Sequence, residues 1–212
     1  MSVLGAGEAF MLGAADEADA YVIPKSLRFN SGDSAHLSKN FATAGNRRTW
    51  TWSGWLKRSK LGANQRILRV DSSGEAGIQF RDTDKIELYD YANSGYAWQL
   101  QTDQVFMDTS AWYHIVVAFD TTQSTAADRV SLYVNGSEVT SFSTSNYPSQ
   151  NFEGKINLNA GHSIAGQDGL KYNGLMADIQ FVDGQALQAS DFGETRSSDG
   201  IWVPKEASFT SP

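Results

Sequence analysis

A chain of 212 residues with a formal net charge of −7 lacks the basic face that a phosphate-backbone binder requires. Cysteine is absent, which removes disulfides, thiolate metal sites and cysteine nucleophiles together. The length suits one large β domain or two small ones and needs no covalent staples. No apolar run reaches the roughly 18 residues that a membrane helix needs.

Residues 1–25 form an N-terminal arm, rich in Ala and Gly, with an acidic patch at Asp16, Glu17 and Asp19. The segment lacks the basic start of a secretory signal, and Glu8 interrupts its apolar stretch. It reads either as a tail or as an arm that docks on a neighbouring subunit. Leu27 and Phe29 then begin an alternating segment, and SGDS at Ser31 to Ser34 supplies turn chemistry before His36 and Leu37. In WTWSGWLK, Trp50, Trp52, Gly54 and Leu56 share one face of a strand, and Thr51, Ser53, Trp55 and Lys57 share the other. The first face is the core face, where Gly54 relieves crowding beside the indoles.

Ile67, Leu68 and Val70, then Ile78 and Phe80, then Ile86, Leu88 and Tyr89 mark three short strands separated by Asp-Ser-Ser-Gly and Asp-Thr-Asp turns. Trp98 to Phe106 supplies one or two more. From Trp112 to Phe142, two apolar runs flank a polar turn and the second breaks at Asn135-Gly136. Both of these residues tolerate positive φ, as a two-residue type I′ hairpin requires. That turn pairs Leu132 with Val139 on one face and Tyr133 with Glu138 on the other.

A polar stretch from Ser143 to Asn151 precedes Ile156 and Leu158, and Gly161 to Gly169 reads as a glycine-rich loop. Leu175, Ala177, Ile179 and Phe181 alternate with Met176, Asp178, Gln180 and Val182 in a further strand, which Asp183-Gly184 ends. Ser190 is placed to cap a single helical turn from Asp191. Ile201 to Pro212 reads as an exit tail. Strand signals between turns, with scarcely any helical periodicity, predict an all-β fold, a two-sheet antiparallel sandwich. The domain organisation expected is an arm at 1–25, a sandwich at 26–193 and a C-terminal tail at 194–212.

Three segments carry a resemblance. They are WTWSGWLK, the block WYHIVVAFD…LYVNG with Trp112, His114, Tyr133 and Asn135-Gly136, and YNGLMADIQFVDGQAL from Tyr172 to Leu187. In that order they resemble the laminin-G-like branch of the concanavalin A-like lectin/glucanase jelly rolls. Gly174, Asp178, Phe181 and Ala186-Leu187 match the glycine, aspartate, aromatic and A-L turn of that family's final strand. The fold this implies is a concanavalin A-like jelly roll. A narrower likeness, in NRRTWTWSGWLKR, YPSQN, FVDGQAL and GIWVPK, is to proteins that marine bacteriophages carry as virion components. It implies a virion location and other virion proteins (capsid or tail subunits) as partners through the arm, in a homo-oligomer or multi-copy assembly.

The fold family contains glycoside hydrolases, whose paired carboxylates flank the scissile bond. The E-x-D-x-x-E and E-x-D-x-E strings of the laminarinase-like members are missing here. Glu87 and Asp90, three apart, point to opposite faces of a strand. His36, His114 and His162 have no metal-ligand spacing, and His114 reads as a hydrogen-bonded structural imidazole. The reading is therefore non-enzymatic. Sugar binding needs aromatic platforms with convergent hydrogen bonders. Tyr89, Tyr91, Tyr96 and Trp98, interleaved with Asp90 and Asn93, are the candidate residues for a glycan or host-surface contact; the alternative is cross-strand packing. Hard oxygen donors for calcium stand at Asp33, Asp71 and Asp178. The resemblance implies a structural calcium held through an aspartate like Asp178, and Asp33 is the other candidate ligand taken from the available donors. No other cofactor is expected. Two readings follow: a capsid decoration subunit anchored by its arm, or a carbohydrate-binding adhesion module of a tail or head fibre.

Overall fold

Strict alternation in the third strand organises the molecule. The computed structural model describes residues 21–92, 95–166 and 169–209, and the expected arm lies outside the described residues up to residue 20. The strands are β1 (Leu27–Phe29), β2 (Leu37–Asn40), β3 (Thr49–Arg58), β4 (Gln65–Ser72), β5 (Gly74–Phe80), β6 (Lys85–Ala92), β7 (Gly95–Val105), β8 (Tyr113–Asp120), β9 (Val130–Val134), β10 (Ser137–Glu138), β11 (Phe142–Asn146), β12 (Gly161–Ile164), β13 (Gly174–Asp183), β14 (Gly193–Thr195) and β15 (Trp202–Pro204). One sheet has the order β1-β13-β3-β8-β9-β10, and the facing sheet runs β11-β7-β6-β5-β4-β12-β2. All of their ladders are antiparallel, which makes a jelly-roll sandwich.

Period-two alternation sends Trp50, Trp52 and Leu56 of β3, with Ile115, Val117 and Phe119 of β8, into the space between the sheets. There they meet Ile78, Leu88, Trp98 and Leu100 of the seven-stranded sheet. Trp50 stacks on Phe119 at 4.9 Å and Trp98 lies 5.6 Å from the same ring. Each such side chain contributes about 1.5–3 kcal/mol by leaving water. A Cβ on Gly54 would sit 2.8 Å from the Trp52 ring, so the predicted relief of crowding is real.

The Asn135-Gly136 hairpin forms as its sequence predicts, with φ of 49° and 81° at the two turn residues. Tyr133 pairs with Glu138, and the Val139 amide donates to the Leu132 carbonyl at 2.8 Å.

Several expectations need correction. The polar run after Phe142 contains β11, an exposed edge strand with too few apolar residues to show periodicity. The glycine-rich loop begins with β12, which lies between β4 and β2 and so needs no alternation of its own. β13 does not alternate throughout, because a bulge between Ala177 and Gln180 places Asp178 at φ 46°. The 3-10 turn Ala189–Asp191 has Gln188 and not Ser190 at its N-cap, where Asp191 Oδ2 accepts from the Gln188 amide at 2.8 Å.

The largest correction concerns the C-terminus. Far from leaving the domain, β14 and β15 pair into a two-stranded clasp that lies over the outer face of the six-stranded sheet. Phe192, Trp202, Ala207 and Phe209 there cover Val116 and Val182 in a second apolar cluster. His114 and Val116 alternate with the core residues of β8 and belong to this outer layer, not to the space between the sheets.

Candidate functional site

The seven-stranded sheet has an outer face made by the residues that alternate with its core positions. On β5 and β6, Ile78, Phe80, Ile86 and Leu88 point inward, which turns Gln79, Glu87, Tyr89 and Tyr91 outward. These side chains meet Arg66 of β4, Glu75 of β5 and Arg81 beyond β5 along a groove of about 240 Å³. The β4–β5 turn packs closely on the backbone of Tyr91: a Cβ on Gly74, at φ 106°, would lie 2.2 Å from the Tyr91 carbonyl oxygen. Only glycine allows that approach.

Three tyrosines form the aromatic part. Tyr91 and Tyr96 face each other across β6 and β7 at 5.2 Å and 79°, and are 38% and 42% exposed. Tyr89 is buried behind them, edge-on to Tyr96, and its hydroxyl donates to Glu75 Oε1 at 3.4 Å. Burial raises the Tyr89 and Tyr96 hydroxyls above the ordinary phenol range, so both stay protonated donors.

The floor is charged and tightly knit. Arg66 Nη2 lies 2.7 Å from both oxygens of Glu75. Glu87, fully buried, accepts from Gln99 Nε2 at 2.5 Å, from Arg81 Nη1 at 3.2 Å and from the Gln79 amide.

The sequence-derived candidates divide on this geometry. Tyr91 and Tyr96 reach the groove and Tyr89 lines its base. Trp98 does not: it sits opposite Asp90 in the ladder, points into the core and is 2% exposed. Asp90 also faces inward, where it accepts from the Lys155 amide at 2.9 Å and holds the Lys155 ammonium. Its spacing from Glu87 predicts those opposite faces. Asn93 lies outside the described residues. Arg66, Glu75, Gln79 and Arg81 escaped sequence reading, although each stands as a polar residue within an apolar strand or at its end. That alternation was the available signal.

The calcium pair does not assemble. β1 and β13 pair antiparallel from Phe29 opposite Gly174 to Leu27 opposite Met176. Asp33 therefore extends beyond one end of this pairing and Asp178 beyond the other. Asp33 accepts from Asn30 at 2.7 Å, and Asp178 accepts from Gln180 at 3.0 Å. Asp71 pairs with Arg69 at 3.0 Å. No group of three His, Cys, Asp or Glu side chains converges among the described residues, which does not fit a cation wanting 6–8 oxygens. His162 is structural: Nδ1 bonds the Ala160 carbonyl and Nε2 accepts from the Asn157 amide.

A second opening, of about 230 Å³, lies between the sheets near β2. Leu37, Phe41, Leu68 and Ile179 make it largely apolar, without the converging hydrogen bonders of the tyrosine groove.

Solved structures reproduce the sandwich at low identity. Domains LG4-5 of the mouse laminin alpha1 chain align with a TM-score of 0.54 and 12% identity, over 88% of this chain and 48% of that one. A heptameric SAP-like pentraxin from Limulus polyphemus gives 0.50 and 16%, over 72% and 71%. Trypanosoma rangeli sialidase in complex with the inhibitor DANA gives 0.52 and 16%, over 82% of this chain but only 27% of its own length. These likenesses concern the fold. No curated protein matches the sequence. The laminin-G model described as the concanavalin A-like lectin/glucanases superfamily matches residues 29–191, nearly the whole sandwich and none of the strands of the C-terminal clasp. With the predicted motif order, the two facing sheets and this match in agreement, the chain belongs to the laminin-G group of the concanavalin A-like lectin/glucanases superfamily.

Proposed function

We propose that the protein is a non-catalytic glycan-binding module displayed on the surface of a bacteriophage virion. The observation that carries the binding reading is the pair of half-exposed tyrosine rings, Tyr91 and Tyr96, standing at right angles over a floor of carboxylate, amide and guanidinium groups. Aromatic faces take the C–H side of a sugar ring, and fixed polar groups take its hydroxyls. Glu75 and Glu87 act here as anchors for Arg66, Arg81 and Gln79, which suits holding a ligand better than cleaving one.

The virion location is supported by sequence alone, through the likeness of NRRTWTWSGWLKR, FVDGQAL and GIWVPK to phage virion components. A capsid decoration subunit and a fibre-borne adhesin both carry such a surface. Glycan-array binding by the full chain, lost when Tyr91 and Tyr96 are replaced by Ala, supports the binding reading; array binding unchanged in that variant rejects it. Mass spectrometry of purified virions tests the location, and copy number separates head decoration from a fibre.

A further inference from the structure

The floor of the tyrosine groove also bears on which sugars it takes. We infer that the groove is built for neutral, hydroxyl-rich sugar rings and discriminates against glycans carrying carboxylate or sulfate groups. This rests on the glycan-binding reading above.

Charge closure is the first argument. Arg66 is held by Glu75, Arg69 by Asp71 at 3.0 Å and Glu75 at 3.4 Å, and Arg81 by Glu87 at 3.2 Å with Asp82 at 3.9 Å. Every guanidinium on this face is thus matched by carboxylate before a ligand arrives. An anionic ligand would have to break one of these pairs and meet the carboxylate it displaced. Two such groups in contact, partly shielded from solvent, repel strongly. The protein's net charge of −7 adds to the repulsion at longer range.

The second argument is an acceptor without a donor. Gln79 is 5% exposed, and its amide nitrogen donates to Glu87. Glu87 also accepts from Arg81 and Gln99, so it presents acceptor oxygens to Gln79 and the amide cannot be turned round. Gln79 lines the groove, and its buried Oε1 is left without a hydrogen-bond partner among the described protein groups, as is the Nε–H of Arg81; a hydroxyl, donor and acceptor at once, suits both. A buried acceptor is satisfied by a hydroxyl donor, which every neutral sugar brings several times over. A carboxylate or sulfate brings none. The tyrosine rings stack on C–H faces whatever the charge, so they set affinity and leave the sign to the floor.

Calorimetric titration of the full chain tests this, with cellotriose, maltotriose and mannotriose as neutral probes and 3′-sialyllactose and trigalacturonate as anionic ones. The expected result is that at least one neutral probe binds about tenfold or more tightly than either anionic probe, a gap of about 1.4 kcal/mol. That affinity should change less than about twofold between roughly 50 and 300 mM salt. Tyr96→Ala should weaken it about tenfold or more with the fold intact by circular dichroism. Tighter binding of an anionic probe, also lost in Tyr96→Ala, overturns the neutral preference and keeps the glycan site. Binding indifferent to Tyr91 and Tyr96, or no binding by any probe, overturns the site and the inference together.

Discussion

The indole Nε1–H of Trp202 donates to Nδ1 of His114 at 3.0 Å, across 88 residues of chain. That bond fixes the tautomer: Nδ1 is the acceptor, so Nε2 carries the proton and donates to Ser53 Oγ at 2.9 Å. The imidazole stacks on Trp55 at 4.7 Å and parallel to Trp202 at 6.1 Å. The indole of Trp202 in turn rests against two glycines, since a Cβ on Gly136 or Gly193 would lie 2.4 or 2.6 Å from its ring. The tight turn of the hairpin and the start of the clasp together form the slot.

Acid should loosen this arrangement. Burial lowers the His114 pKa from 6.5 to about 4, because a charged imidazole is poorly solvated between two indoles. The folded value is depressed, so the contribution is complete above about pH 6.5 and is lost as pH falls toward 4. A shift of this size corresponds to about 3 kcal/mol. His162, also lowered by burial, adds in the same direction. Chemical denaturation at pH 7 and pH 4.5 should show most of the loss, and His114→Gln should flatten that interval relative to the native chain. An unchanged slope in the variant rejects the assignment.

Trp202→Ala should destabilise the protein by about 3 kcal/mol, toward the lower end for truncating a packed aromatic because the indole is only partly buried. Trp202→Phe keeps the stacking and loses the donor, and should recover most of that loss. Gly136→Ala should resemble Trp202→Ala, since it combines positive φ with a clash against the ring. Limited proteolysis should show cleavage after Gly193 in the destabilised variants ahead of cleavage in the sandwich.

Arg58 offers a buried test. Its side chain is 0% exposed, its guanidinium lies 2.7 Å from Asp84 and 4.2 Å from the centre of the Phe80 ring, and it also donates to the Phe106 carbonyl. Asp84→Ala leaves that cation unpaired and should cost about 3–5 kcal/mol. Asp84→Asn retains an acceptor for Arg58 and the Gly62 amide and tolerates φ 60°, so its thermal midpoint should lie between those of Asp84→Ala and the native chain.

Removing residues 1–21 separates arm from sandwich. As a consequence of the virion proposal, the truncated chain should keep its far-UV spectrum and its glycan binding but fail to join particles in a reconstitution assay. Incorporation at the native level rejects the anchoring role.

Much of the sandwich was legible because its signals are local. Alternation in β3 and β8 sorts Trp50, Trp52, Ile115 and Val117 to one side, and Asn135-Gly136 fixes a turn by its own φ angles. The candidate site was legible only in part. Tyr89, Tyr91, Tyr96 and Trp98 are close in sequence, but the strand pairing at Asp90 opposite Trp98 and a bulge beside Tyr91 send the tryptophan to the core and the tyrosines to the groove. Register depends on a partner strand, which neighbouring residues do not specify.

By itself the sequence determined an all-β chain, its main hairpin, the core face of its central strands and its family. The tertiary structure decided which polar residues converge: Arg66, Glu75, Gln79 and Arg81 come together from separate strands and a turn, and Asp33 and Asp178 are held apart by the β1–β13 register. It also turned an apparent tail into a clasp through one indole, because Trp202 gains its partners, His114 and Gly136, only after the chain has folded back across the sheet. Local periodicity sets which way a side chain points; long-range pairing sets what it meets.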